Sequence, residues 1–302
     1  ADDGSATQSL ASLQTLANSA ITSLGVITGY ANDNGADTTA HPAPTAQDYA
    51  NIGVTGLTGT ANTSGQSDAA LLATLNRLLA TTGITSTQVD TASEVQAIVN
   101  GYSRVLHAAD GTDGNLTSGG ATAPTAADYT ALGITGLTGS DASSKASFLA
   151  DVIDGKTKTQ VDDQSELQTL ANAVSQVLGY TTSSGSADQP TAAQINALIP
   201  TAAPGQTAPV VDANNLAAVQ AAIARANSDG TVLASQSELN TVVAGAITAY
   251  TSAVAIIKTY AGDSTATAPS VANYKDAGVS GVSDGTNSSG GSNLPNNLAA
   301  IQ

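Results

Sequence analysis

Pro44-Thr45-Ala46-Gln47-Asp48-Tyr49 decides the fold, because it comes back. It returns as Pro124-Thr125-Ala126-Ala127-Asp128-Tyr129, in weaker form as Pro190-Thr191-Ala192-Ala193-Gln194-Ile195, and as Pro269-Ser270-Val271-Ala272-Asn273-Tyr274. The first two copies run on as Gly53-Val54-Thr55-Gly56-Leu57-Thr58-Gly59 and Gly133-Ile134-Thr135-Gly136-Leu137-Thr138-Gly139. The fourth continues as Gly278-Val279-Ser280-Gly281-Val282. A second motif stands at Ser93-Glu94-Val95-Gln96, Ser165-Glu166-Leu167-Gln168 and Ser237-Glu238-Leu239-Asn240. Leu13-Gln14-Thr15-Leu16-Ala17-Asn18 repeats Leu167-Gln168-Thr169-Leu170-Ala171-Asn172 letter for letter. A third, apolar segment runs from Leu71 to Leu79, Phe148 to Ile153, Leu216 to Ile223 and Leu298 to Ile301. Matches in one order at a spacing of about 70–80 residues mark a tandem repeat. Its units are 1–86, 87–158, 159–231 and 232–302, the third segment of the last being short.

Each motif reads as a helix. In the Ser-Glu segment, Thr91, Asp163 and Ser235 stand three residues before Glu94, Glu166 and Glu238, the spacing of a capping box. Val95, Ile98, Val99, Tyr102, Val105 and Leu106 then keep helical period on one face, and Leu167, Leu170, Ala171, Val174, Val177 and Leu178 repeat that face. The Pro-Thr segment has Thr45 or Thr125 at the N-cap and an Asp suited to the helix dipole. It stops at Gly53, Gly133 and Gly278, which can turn left-handed, followed by Val54, Ile134 and Val279 to pack back. The third segment carries an aliphatic stripe such as Leu71, Leu75, Leu78 and Leu79. No strand-like alternation is sustained. The expected fold is all-α: four tandem three-helix bundles. Ala-rich bundles of that size are marginal alone, so they should stack into an elongated rod. Residues 31–43, 110–123, 181–189 and 262–268 read as surface loops.

The 302 residues carry 24 acidic and 8 basic side chains, a net charge of −16. Nucleic acid and anionic membrane surfaces are poor partners for such a chain. No uninterrupted apolar run approaches the roughly 18 residues that span a bilayer, so no membrane insertion is expected. No signal peptide is visible at the start of the sequence. Cys, Met and Trp are absent. With the acidity and the Ala, Thr, Ser, Asn and Gly content, this suits a protein exported to the outside of the cell.

The Pro-Thr-Ala-x-Asp-Tyr, Gly-Val/Ile-Thr-Gly-Leu-Thr and Ser-Glu-Val-Gln-Ala-Ile-Val combination resembles the tandem helical repeats of large secreted bacterial surface proteins. These are adhesin-like and often exported by type I systems. The resemblance covers nearly the whole chain and is strongest in the first two units. The third departs from it, with Gln194-Ile195 for Asp-Tyr and Pro200 where the glycine cap would fall. It implies an extracellular or cell-surface role as extender, adhesin or coat. A fainter likeness joins the Gly-Ile-Thr turn and Glu-Val opening to albumin-binding three-helix modules of bacterial cell-wall proteins.

Sites of chemistry are few. The two histidines, His41 and His107, lack a nucleophile and acid at suitable spacing, and no phosphate-binding glycine loop occurs. The recurring Tyr49, Tyr129 and Tyr274 read as core residues. The candidate metal ligands are Asp110, Asp113 and Asn115, in a Gly-punctuated turn that suits calcium, though not an EF-hand. Asn32 to Asp37 is the matching loop of the first unit. No cofactor is required. The expected function is structural rather than enzymatic: a rod-like extender, or the protomer of a filament or surface layer. The alternative is an adhesin-type module for a host protein or glycan. The expected partners are neighbouring repeats or identical subunits, head to tail, the shortened last unit being completed by the next chain.

Overall fold

The computed structural model describes residues 9–57, 68–81, 84–111, 122–200, 209–229, 233–283 and 297–302. Those residues are all-α. No β-strand occurs among them, and an isolated bridge pairs Asp110 with Thr157. The chain divides into two compact units, Ala1–Asn172 and Ala173–Gln302, with the division inside one helix. That division is coarser than the four units expected from the motifs.

The first unit holds α1 (Leu10–Asn32), α2 (Ala46–Asn51), α3 (Asp68–Leu79), α4 (Ala92–Ala108), α5 (Ala126–Ala131), α6 (Ala142–Asp154) and the start of α7 (Gln164–Gly179). α1 packs on α2, and α4 packs on α3, α5 and α6. Tyr49, Leu71, Leu75, Val95, Ile98, Tyr102, Tyr129, Phe148 and Leu149 are buried. The second unit holds the rest of α7, then α8 (Ala192–Leu198), α9 (Leu216–Ser228), α10 (Gln236–Gly262), α11 (Val271–Asp276) and α12 (Leu298–Ile301). α10 packs on α9 and α11, over buried Ile195, Leu198, Val219, Ile223, Leu239 and Val243.

The short helices are fixed by their ends. Thr45, Thr125, Thr191 and Ser270 each cap with a full box, the side chain at N3 reaching back to the cap N–H. α2, α5 and α11 end in the pair of bonds of a Schellman motif. Val54 N–H donates to Tyr49 C=O at 3.0 Å, Ile134 to Tyr129 at 2.9 Å and Val279 to Tyr274 at 2.8 Å. Gly53, Gly133 and Gly278 supply the positive φ this closure needs, 84°, 71° and 79°. α8 has no such glycine. It runs to Leu198, and Ile199 turns extended before Pro200, as the residue ahead of a proline prefers.

The long helices are capped as expected at Thr91, where the box with Glu94 is complete. At α10 the box is split. Ser235 Oγ accepts from Glu238 N–H at 3.2 Å, while the Glu238 carboxylate takes the N–H of Ala234 at 2.7 Å. α1 begins at Ser9 and has Ser12 in place of the glutamate. A further recurring element is a 3-10 turn over Ser86–Gln88 and Lys158–Gln160, each closed by a Thr/Gln box. It buries Val89 and Val161 just ahead of the next long helix.

Candidate functional site

The motif residues meet one another across the fold. In the loop after α2, Val54 and Leu57 turn inward and leave the Thr55 backbone outward. Gln96, on the second turn of α4, reads that backbone. Its Oε1 accepts from Thr55 N–H at 2.8 Å, and its Nε2 donates to Thr55 C=O at 3.2 Å. The same amide is steadied from its own helix by Asn100 Oδ1 at 2.9 Å. Gly56, at φ 89°, lies against Val99 of α4. The arrangement is repeated at α7. Gln168 accepts from Thr135 N–H at 2.9 Å, donates to Thr135 C=O at 3.1 Å and is held by Asn172 at 2.8 Å. An amide side chain matches both polar groups of one peptide residue, so this is a register contact between a loop and the long helix that follows it.

A second amide contact, made in three places, joins the third apolar segment or its C-cap to the Pro-Thr motif. Asn76 donates to Pro44 C=O at 2.7 Å, Gln220 to Pro190 C=O at 2.8 Å, and Gln302 to Pro269 C=O. Asn76 also accepts from the buried Tyr49 hydroxyl at 2.8 Å. In α6 the matching position is Ala150. There the Tyr129 hydroxyl, fully buried, finds no hydrogen-bond partner among the described residues. Burial drives the Tyr49 and Tyr129 phenols well above their ordinary pKa.

In α2 and α5 the acidic cap residue ties the short helix to the long one before it. Asp48 accepts from Ser23 Oγ of α1 at 3.0 Å, and from the backbone and hydroxyl of Thr45. Partial burial pulls its pKa up, but the Thr45 and Ser23 bonds outweigh this and hold it below the usual range. In the next set, Arg104 of α4 forms an ion pair with Asp128. α4 and α5 approach closely because Gly101 has no side chain. A Cβ there would stand 3.2 Å from the Asp128 backbone oxygen.

Of the expected metal ligands, Asp113 and Asn115 lie outside the described residues. Asp110 follows α4, its N–H donating to Ala108 C=O at 2.9 Å. In the matching first loop the carboxylates serve turn closure. Asp33 takes the Gly35 N–H at 3.0 Å and His41 Nδ1 at 2.7 Å, and Asp37 takes the N–H groups of Thr39 and Ala40. The His41 bond, ahead of that from Gly35, holds the Asp33 carboxyl below its ordinary pKa. The His41 ring lies over Gly29 of α1, so this histidine fastens the loop to the helix. No group of three or more His, Asp or Glu side chains placed to hold a metal occurs among the described residues. Tyr49, Tyr129 and Tyr274 are all buried.

α1 and α10 are each long and apolar enough to cross a membrane by length and composition. Ser, Thr and Gly interrupt the apolar residues of both helices, so neither contains a long unbroken apolar run. Comparison with family models, with curated proteins and with solved structures gave no match.

Proposed function

We propose that this chain is an extracellular structural protein whose four helical repeats, 1–86, 87–158, 159–231 and 232–302, stack into an elongated rod. It serves as an extender of a larger surface protein or as the protomer of a filament or surface layer. The observation that carries this reading is the Gln96–Thr55 contact and its copy, Gln168–Thr135. Both motifs that define the repeat are spent on joining one repeat to the next. The acidic composition and the resemblance to secreted surface repeats supply the location. The rival reading, an adhesin-type binding module, calls for exposed side chains repeated at one helix position. The repeated polar side chains Gln96 and Gln168 are instead engaged by Thr55 and Thr135.

Electron microscopy of the protein as isolated from cells tests the proposal. Straight rods, filaments or a lattice are expected. Compact round particles that lose a measurable activity on replacement of one polar residue would overturn it.

A further inference from the structure

Among the described residues the register contact occurs twice, and each half of it occurs once more without its partner. Gln14 of α1 stands in the same Leu-Gln-Thr-Leu-Ala-Asn context as Gln168 and is steadied in the same way, by Asn18 at 2.9 Å. Its Oε1 accepts nothing among the described residues. Leu13 and Leu16, on the turns around it, are 46% and 49% exposed. Their counterparts Val95 and Leu167 are fully buried, and Ile98 and Leu170 nearly so. The stripe Leu13, Leu16, Ala17, Ala20, Leu24, Ile27 is continuous along α1. It is buried at Ile27, where α2 covers it, and runs out into solvent toward Leu10. α1 meets the Asp48 carboxylate of α2 at Ser23, well along the helix from its cap at Ser9. Its first three turns therefore stand clear of the short helix.

The complementary half follows α11. Gly278 and Gly281 take positive φ as Gly53 and Gly56 do, 79° each against 84° and 89°, so the loop has the turn pattern that Gln96 reads after α2. Val282 is buried like Leu57 and Leu137. Ser280, in the place of Thr55, is exposed and bonded to nothing among the described residues. Val279 is 43% exposed, where Val54 and Ile134 are 6% and 5%.

The geometry points to a second copy of this chain as the occupant of the α1 face. Gln14, Leu13 and Leu16 of one molecule dock on the Val279–Ser280–Gly281 loop of another, reproducing the contact of α4 with the loop after α2. This inference rests on the structural reading above and names the surface by which such a protein would polymerise. The contact is heterologous, so each molecule offers one donor face and one acceptor face.

Sedimentation velocity on the 302-residue chain over a wide concentration range tests it. Two face-blocking variants are compared, Leu13→Asp with Leu16→Asp, and Val279→Asp. All three positions are exposed, so helicity by circular dichroism should not change. The wild-type chain should assemble progressively. Each variant alone should associate at least 100-fold more weakly. An equimolar mixture of the two should stop at a dimer, because one free donor then meets one free acceptor. A wild-type chain that stays monomeric, or variants that assemble as the wild type does, would overturn the inference. So would flotation of the wild type on phosphatidylcholine vesicles that the Leu13 and Leu16 changes abolish, because a bilayer would then cover the face. A monomer that is still a stiff rod by scattering would sink the docking while leaving the structural role in place.

Discussion

At the scale of single residues, the orphaned Tyr129 hydroxyl follows from one replacement, Ala150 where α3 has Asn76 and α9 has Gln220. Ala150→Asn should restore both the phenol's partner and a donor for the Pro124 carbonyl. A buried polar group without a partner costs about 1–3 kcal/mol, so the change should raise the thermal midpoint despite the added volume. A lowered midpoint would mean that the site between α5 and α6 is too tight for the amide. Asp48 makes a pH-dependent contribution of defined sign. Its folded pKa is lowered, so its share of stability is complete above the free-carboxyl value of about 3.9 and is lost as pH falls through the folded value. Asp48→Asn should flatten that part of an acid titration followed by circular dichroism. An unchanged acid limb would remove Asp48 from the account.

Elements are held by contacts that a local reading reaches only in part. Gly101→Ala should gain helix propensity in α4 yet push α4 off α5, since the new Cβ meets the Asp128 backbone. The net effect should be a loss of about 1–3 kcal/mol in urea denaturation, the usual cost of overpacking. A stabilised protein would show that the helices can part freely. Gln96→Ala should cost about 1 kcal/mol through its lost bonds to Thr55. In the unassembled chain Gln14→Ala removes only a bond to Asn18 within one helix, worth about 0.2–0.5 kcal/mol. Equal losses at the two positions would show that the loop contact adds nothing.

The caps of the short helices, their glycine stops and the aliphatic stripes were legible because all are local: a Thr, an Asp three residues on, a Gly. The Thr-x-Thr-Gln-Val turn recurs in the sequence as plainly, at Thr85 to Val89 and Thr157 to Val161, but its short helix has no apolar period to reveal it. Why the motifs carry Gln and Thr was not legible. Thr55 and Gln96 are distant in sequence, and only packing brings the loop to the helix. The glutamine reads backbone atoms, which leave no pattern in the letters.

For the molecule as a whole, the central claim is that successive repeats are fixed to one another rather than strung as beads or folded into one globule. Small acid-rich bundles with Ala-dominated cores gain stability by covering each other's ends. Unfolding should be cooperative over more than one repeat, because α4 and α7 each close on the loop of the set before it. Small-angle X-ray scattering on the monomeric chain is the most direct test. A compact globule of this length would have a radius of gyration of roughly 19 Å. The account predicts a value at least half as large again, with the linear cross-section region of a stiff rod. A radius near the globular value, or the broad featureless profile of flexibly linked beads, would contradict it.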